Sequence, residues 1–481
     1  MGSEAVQVLT IDTLNPNVRA MRQTSSVYTR KAQIEKELKA GVEKPFTKVF
    51  RADVGDCQGG GQKPITFIRQ VMALCSYPEL LNSDEFPADA KERAKRILGE
   101  CLGNSIGAYT SGWGLQAVRA DVADYIARRD GHASDSNDIV LSTGASDAIR
   151  AVISLLLTGK DGAGRAGYMI SVPHYPLYSA SIVEFGAYPI LYCLDEESNW
   201  SVSLGELEMS ITDAKTKCKP RALVVINPGN PTGSVLSKEN IREIIKFAFR
   251  HRLFLIADEV YQHNVWARDV KFISFKKVLM EMGFPYNKLQ LASFMSASKG
   301  YAGECGARAG CVEVINLEPE VKAELFKILH VKLCPPVLGQ AVLDCIVNPP
   351  KPGEPSYDRF IRETTDILSQ LRAKAEFVTD VFKSVTGITC NKIQGAMYAF
   401  PRIFLPEKAV QAADAAGQAP DVFYCLELLE QTGISSVPGS SFWDMPGTYH
   451  IRISILPQME ELKPALEKLK EFHLNFLARY E

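Results

Sequence analysis

One pattern repeats through the middle of this chain and limits what it can fold into. Short apolar runs alternate with longer amphipathic stretches. The runs are Asp138-Ile139-Val140-Leu141, Gly167-Tyr168-Met169-Ile170-Ser171-Val172, Ala222-Leu223-Val224-Val225-Ile226, Leu253-Phe254-Leu255-Ile256-Ala257 and Leu289-Gln290-Leu291-Ala292-Ser293-Phe294. A half-exposed strand would alternate polar and apolar residues. These runs do not, so both of their faces must be covered, as in parallel strands flanked by helices. Residues 145–157 and 238–251 read as such helices, the second capped by Ser237. The fold class predicted is α/β, a doubly wound, mostly parallel sheet over residues 76–345. The dense prolines of Pro349-Pro350-Lys351-Pro352-Gly353-Glu354-Pro355 then end the pattern. A long helix over 357–384 and strand-like segments at 395–400, 434–437 and 449–455 predict a smaller α+β domain over 346–481. Residues 1–75 are expected to form an N-terminal arm and part of that smaller domain.

Charge and composition remove several function classes. A formal net charge of −2 over 481 residues gives no electrostatic reason to expect nucleic acid or an anionic membrane as partner. Apolar stretches are too short for a transmembrane helix. The eleven cysteines are scattered without a Cys-x-x-Cys pair, and the seven histidines show no ligand-like spacing, so no metal site is expected. Scattered thiols, with neither a leader nor a transit pattern near Met1-Gly2-Ser3-Glu4, point to a cytoplasmic protein.

Polar motifs follow the apolar runs, where ligands bind in doubly wound sheets. Ser296-Ala297-Ser298-Lys299-Gly300 offers an amine able to form an imine, with Arg308 nine residues on as a phosphate partner. Thr143-Gly144-Ala145-Ser146-Asp147 either caps a helix or holds a phosphate on free backbone N–H groups. Asn227-Pro228-Gly229-Asn230-Pro231-Thr232-Gly233 is a stiff turn that presents the Asn230 amide, or only an elaborate turn. Asp258, in Ala257-Asp258-Glu259-Val260-Tyr261, sits where solvation is poor and a cationic partner is needed. A pyridinium nitrogen would serve, as would a structural cation; Tyr261 is placed to hydrogen-bond the same ligand. Tyr175 is read as a stacking face or a core aromatic. Arg452 lies in the strand Tyr449-His450-Ile451-Arg452-Ile453-Ser454, either gripping a carboxylate or facing solvent.

Taken in order, these motifs resemble the fold-type-I, class I/II aminotransferases. More narrowly the chain resembles the alanine aminotransferase group, which includes plant glutamate–glyoxylate enzymes. Lys44-Pro45-Phe46-Thr47, Gln62-Lys63-Pro64-Ile65-Thr66-Phe67, Tyr175-Pro176-Leu177-Tyr178-Ser179, Ser274-Phe275-Lys276-Lys277-Val278-Leu279 and Pro420-Asp421-Val422-Phe423-Tyr424-Cys425 carry that likeness. The resemblance implies pyridoxal 5′-phosphate held covalently by Lys299. It implies Asp258 at the ring nitrogen, Asn230 and Tyr261 at the phenolic oxygen, Tyr175 on the ring face, and Ala145, Ser146, Ser296 and Arg308 at the phosphate. Tyr109 would reach the site of a second subunit in a homodimer. Arg452 would grip the substrate carboxylate, with Gly55 on the loop above it. The implied activity is amino-group transfer between an L-amino acid and a 2-oxo acid by ping-pong kinetics.

The chain departs from the family near the expected substrate. Where the family reads Tyr-Ala-Val-Arg-Gly, this sequence has Gln23-Thr24-Ser25-Ser26-Val27, so Ser26 replaces an arginine. Phe-His-Ser becomes Phe294-Met295-Ser296, Arg-Gly-Gly-Tyr becomes Arg308-Ala309-Gly310-Cys311, and Gly-Ser-Gly-Phe-Gly becomes Gly439-Ser440-Ser441-Phe442-Trp443. Trp113 stands in a loop that is usually small and polar. These changes predict a less acidic, bulkier or differently shaped amino acid and a specialised biosynthetic role. Other reactions of the same cofactor on an amino acid stay open at this point: decarboxylation, β- or γ-elimination or replacement, or an oxidative variant. A catalytically silent binding protein is the third reading, against which Lys299, Asp258, Tyr261 and Arg452 stand.

Overall fold

The computed structural model describes residues 9–21, 25–159 and 161–481. Gln23 and Thr24 of the departing N-terminal segment lie outside the described residues. At the centre is an eight-stranded sheet. Its strands are β1 (Ile139–Ser142), β2 (Ala166–Val172), β3 (Tyr188–Asp195), β4 (Ser201–Val202), β5 (Lys219–Ile226), β6 (Phe254–Asp258), β7 (Leu291–Ser296) and β8 (Gly310–Ile315). Their spatial order is β1-β8-β7-β6-β5-β2-β3-β4. Pairings among β3, β2, β5, β6 and β7 are parallel; β8 runs antiparallel to both of its neighbours, and β4 is antiparallel to β3.

The uniformly apolar runs are explained by cover on both faces. Along β6, Phe254 and Ile256 enter one buried cluster while Leu255 and Ala257 enter another on the opposite side of the sheet. Helices Ala145–Leu155 and Lys238–Arg250 supply part of that cover, and Ser237 accepts a hydrogen bond from the Asn240 amide as the expected cap. Strands β3, β4 and β8 have no counterpart among the apolar runs. β3 is itself apolar from Ile190 to Leu194, yet most of its residues are only half-buried. Glu313 interrupts β8, yet it is buried and forms an ion pair with buried Lys276.

A second, smaller lobe holds a three-stranded antiparallel sheet of β9 (Tyr398–Ala399), β10 (Val437–Pro438) and β11 (Ile451–Ser454), with β11 central. Val27, Ile34 and Ala52 share its core, and Phe50–Arg51 pairs in parallel with Ile434–Ser435. The expected grouping of residues 1–75 is corrected at its end. Helix Thr66–Ser76 buries Phe67, Ile68, Val71, Leu74 and Cys75 against Ile139, Val342 and other residues of the large lobe, because its apolar face is continuous with that core. The expected cut at 345–346 also blurs. Helix Tyr357–Lys383 places Phe360 in the large-lobe core and Leu371, Ala375, Val378 and Phe382 in the small-lobe core.

The antiparallel β8 brings distant residues to one edge of the sheet. It starts opposite both Ser142 and Ser296, so the residues just before it return to the carboxyl ends of β1 and β7. Gly310 permits the approach: a Cβ there would lie 2.5 Å from the Ala145 amide nitrogen and 3.0 Å from the Met295 carbonyl oxygen. Gly310→Ala is expected to cost about 1–3 kcal/mol through forced backbone shifts. A thermal unfolding curve superimposable on that of the parent protein would contradict this.

Candidate active site

A cavity of about 420 Å³ opens at the carboxyl ends of the sheet strands and reaches into the small lobe. Gly55, Ala145, Ser146, Tyr175, Asn230, Asp258, Tyr261, Ser296, Lys299, Arg308 and Arg452 all line it. Of the expected site residues only Tyr109 stands outside. Its side chain is on the surface, 71% exposed.

Local structure explains the convergence. β7 ends at Ser296 and the chain turns sharply after Lys299, where Gly300 adopts φ +68. Asn264 clamps that turn, accepting from the Gly300 amide at 2.8 Å and donating to its carbonyl at 3.3 Å. The Lys299 ammonium donates to the Gly55 carbonyl at 2.7 Å. Arg452, on β11, donates to the Asp53 carbonyl at 2.7 Å and to Asn230 Oδ1 at 3.2 Å. Its guanidinium carbon lies 4.1 Å from the Tyr398 ring centre and 4.8 Å from that of Phe442. The solvent-facing alternative for Arg452 is therefore excluded; the residue is 8% exposed, and its Nε is buried with no hydrogen-bond partner.

An anion-binding corner forms where β1 meets its helix. Gly144, at φ +80, leads into Ala145–Leu155, and no side chain caps that helix. Unpaired N–H groups and the helix dipole favour a negative ligand there. Arg308 lies over Gly144, where an added Cβ would collide with its Nη2. It donates to the Cys305 carbonyl at 2.9 Å and makes no ion pair among the described residues. A phosphate group fits this donor set.

Asp258 is a buried acid in the same cavity. It is 4% exposed, ends β6, and accepts from the Tyr178 hydroxyl at 2.8 Å. No cation among the described residues forms an ion pair with it. Burial raises its carboxyl above the usual range, against the lowering effects of Tyr178, the Val260 amide and Lys299. A protonated ring nitrogen would satisfy this acid. The two features together fit pyridoxal 5′-phosphate: a buried acid suited to a protonated ring nitrogen and a corner suited to a phosphate line one cavity with Lys299.

The cavity electrostatics involve residues that carry no motif. Burial pushes the Tyr398 phenol up, but the charges of Lys299 and Arg452 and a hydrogen bond from Tyr261 outweigh it and hold Tyr398 below the usual tyrosine range. Burial pulls the Lys299 ammonium down, but Tyr398, Cys305, Cys57 and Tyr175 outweigh that and leave it raised. Tyr178 was within reach of sequence reasoning, three residues after Tyr175 in the same aromatic motif. Tyr398 carries no local signal; its role arises only when the small lobe folds onto the sheet.

None of the described substituted residues expected near the substrate lines this cavity, and Ala309 and Cys311 are buried in the large-lobe core. Met295 precedes Ser296 on β7, so its side chain points to the opposite face and packs in the large-lobe core. Trp113 stacks on Phe326, with ring centres 5.6 Å apart. Ser26, Ser441 and Trp443 do line a neighbouring cavity together with Asp53 and Val54, and Val54 also borders the first.

Comparison with known proteins agrees with this geometry. The family model for aminotransferase class I and II matches residues 69–469. "Alanine aminotransferase 2-like" of Danio rerio is 55% identical over 98% of this chain and 87% of its own length. "Glutamate--glyoxylate aminotransferase 1" of Arabidopsis thaliana is 45% identical over 99% of this chain and 98% of its own. Among solved structures, an alanine aminotransferase from Pyrococcus furiosus superposes with a TM-score of 0.75, covering 96% of this chain and 100% of the other at 20% identity, which shows the shared fold.

The acid at 258 provides a test. Its raised pKa means that ionisation subtracts stability from the cofactor-free protein as pH rises past the unfolded value of about 3.9. Asp258→Asn is expected to raise the unfolding temperature of cofactor-free protein at neutral pH. Turnover of the loaded enzyme should fall by about 10²-fold or more. A variant that melts lower without cofactor, or turns over normally with it, would contradict this assignment.

Proposed function

The chain belongs to the class I and II aminotransferases and moves an amino group between an L-amino acid and a 2-oxo acid with pyridoxal 5′-phosphate, and we propose that its preferred donors carry an uncharged side chain, alanine foremost. The observation that carries this reading is the set of cations in the cavity. Among the described residues that line it, the lysines and arginines are Lys299, Arg308 and Arg452. Lys299 carries the cofactor, Arg308 takes its phosphate, and Arg452 takes the α-carboxylate. No cation is left among those residues for a second carboxylate on the substrate, and Ser26 stands where an arginine is usual in the group. The alanine aminotransferases among the relatives support the small neutral donor.

Each side chain then has a physical task. The pyridoxal ring, when bound, supplies an electron sink for the carbanion left when Cα loses its proton. Asp258 holds the ring nitrogen protonated, and Tyr178 fixes the carboxylate that does so. Asn230 and Tyr261 hold the phenolic oxygen, and Tyr175 covers the ring. Ala145, Ser146, Ser296 and Arg308 hold the phosphate. The Lys299 amine takes the proton from Cα and returns it as general acid–base. Arg452 orients the substrate so that the Cα–H bond is the one that breaks, which favours transamination over decarboxylation. Gly55 sits above the substrate, where no side chain fits: a Cβ there would collide with the Tyr398 hydroxyl.

We infer a homodimer in which Tyr109, exposed and outside its own cavity, serves the site of a second copy. Cytoplasmic residence is favoured by eleven cysteines that are all free.

Two measurements check these readings. In single-turnover half-reactions, kcat/KM for L-alanine or a larger neutral amino acid should exceed that for L-glutamate and L-aspartate by about tenfold or more. Equal or faster reaction of the dicarboxylic donors would overturn the proposal. Arg452→Ala is expected to lower kcat/KM for every donor by about 10²-fold or more, because a buried charge-assisted carboxylate contact is lost. A loss confined to one donor would place the carboxylate elsewhere.

A further inference from the structure

A pair of thiols lies beside Lys299. Cys57 is fully buried on the loop that follows Gly55, and Cys305 is half-buried in the cavity wall. Both sulfurs converge on the Ser298 carbonyl, Cys305 Sγ at 3.2 Å and Cys57 Sγ at 4.0 Å. The loop carrying Cys57 is docked onto the turn carrying Lys299. Gln58 donates to the Gly303 carbonyl at 3.3 Å and Gln62 to the Tyr301 carbonyl at 2.8 Å. Gly303 keeps the two segments close: at φ +59, an added Cβ would lie 2.6 Å from Cys57 Cβ.

We propose that Cys57 and Cys305 form a reversible redox site, in which a peroxide-class oxidant converts the two thiols to a disulfide that switches the active site off. The two sulfurs are unequal. A hydrogen bond with Cys57 holds the Cys305 thiol below the usual thiol range, aided by Lys299 and against the effect of burial. The same hydrogen bond and burial push Cys57 up. Cys305 is therefore the attacking thiolate and Cys57 the resolving thiol. Cys305 sulfur attacks one peroxide oxygen, the O–O bond breaks, and the released hydroxide takes a proton to leave as water. Cys305 is then a sulfenic acid. Cys57 sulfur displaces its hydroxyl group, which departs with the Cys57 proton as a second water. Two thiols lose two electrons, and one hydrogen peroxide is reduced to two waters. A dithiol reductant reverses the bond by exchange.

The consequence lies in the wall of the site. The bond ties the loop that carries Gly55 and Asp56 to the turn that carries Lys299, through Cys305 in the cavity wall.

The test uses reduced holoenzyme treated with hydrogen peroxide, then mapped by mass without reduction. A peptide pair joined through Cys57 and Cys305 is expected. Turnover with the fastest donor found should fall by about tenfold or more, since small displacements at the reacting centre are costly, and dithiothreitol should restore it. Cys57→Ala should keep its turnover through the same treatment, with Cys57→Ser as the second variant if the first folds poorly. Absence of the joined peptides from treated wild-type enzyme would overturn the proposal. So would equal inactivation of wild type and Cys57→Ala. The mass map needs no substrate, so an error about the donor leaves this result unchanged.

Discussion

Two backbone carbonyls hold the active site together. Asp53 and Gly55, two residues apart, accept from Arg452 and Lys299 respectively, each at 2.7 Å. Hydrogen bonds to a charged donor contribute about 1.5–3 kcal/mol each, more than neutral ones. One of these cations comes from the small lobe and the other from the large lobe, so a single short stretch of backbone sets their separation. That backbone is itself anchored. Lys31, buried on helix Ser26–Lys39, forms a 2.5 Å ion pair with the Asp53 carboxylate. The N-terminal part of the chain thus acts as a brace between the group that holds the substrate carboxylate and the group that moves its proton.

Most of the site was legible because its chemistry sits at strand ends. Lys299, Asp258, Asn230 and Ala145 each follow an apolar run, and a doubly wound sheet brings such ends to one edge. Arg308 was legible from its spacing, but its location depends on β8 turning back along the sheet, which Glu313 concealed. The single buried acid looks like a break in an apolar pattern until Lys276 is seen to neutralise it. Tyr398 and the Asp53 carbonyl gave no signal. They act across the lobe interface, and no local pattern records what packs against a residue hundreds of positions away.

Substitutions near a motif proved a poor guide to substitutions near the substrate. Met295 stands next to Ser296 in sequence, but strand alternation sends the two side chains to opposite faces, and only Ser296 meets the cavity. Ser441 and Trp443, far from Lys299 in sequence, lie beside Asp53 and Val54 in space. The domain limits shifted for a related reason. Helix Thr66–Ser76 follows an N-terminal segment belonging to the small lobe, yet its apolar stripe matches the large-lobe surface, and burial of that stripe decides its allegiance.

The placement of β8 has a consequence for biogenesis. Among the described residues β1 is an edge strand whose partner in the sheet is β8, with Ser142 opposite Gly310. On a ribosome, β1 emerges long before that partner and must wait for some 168 residues (310 − 142) to be added. Strands β2, β3, β5, β6 and β7 are parallel neighbours that can associate while synthesis continues. The corner that receives the phosphate is therefore among the last parts of the large lobe to close. Nascent chains would acquire the phosphate corner only after the large sheet is essentially built, so coenzyme capture would follow assembly of that sheet rather than guide its beginning.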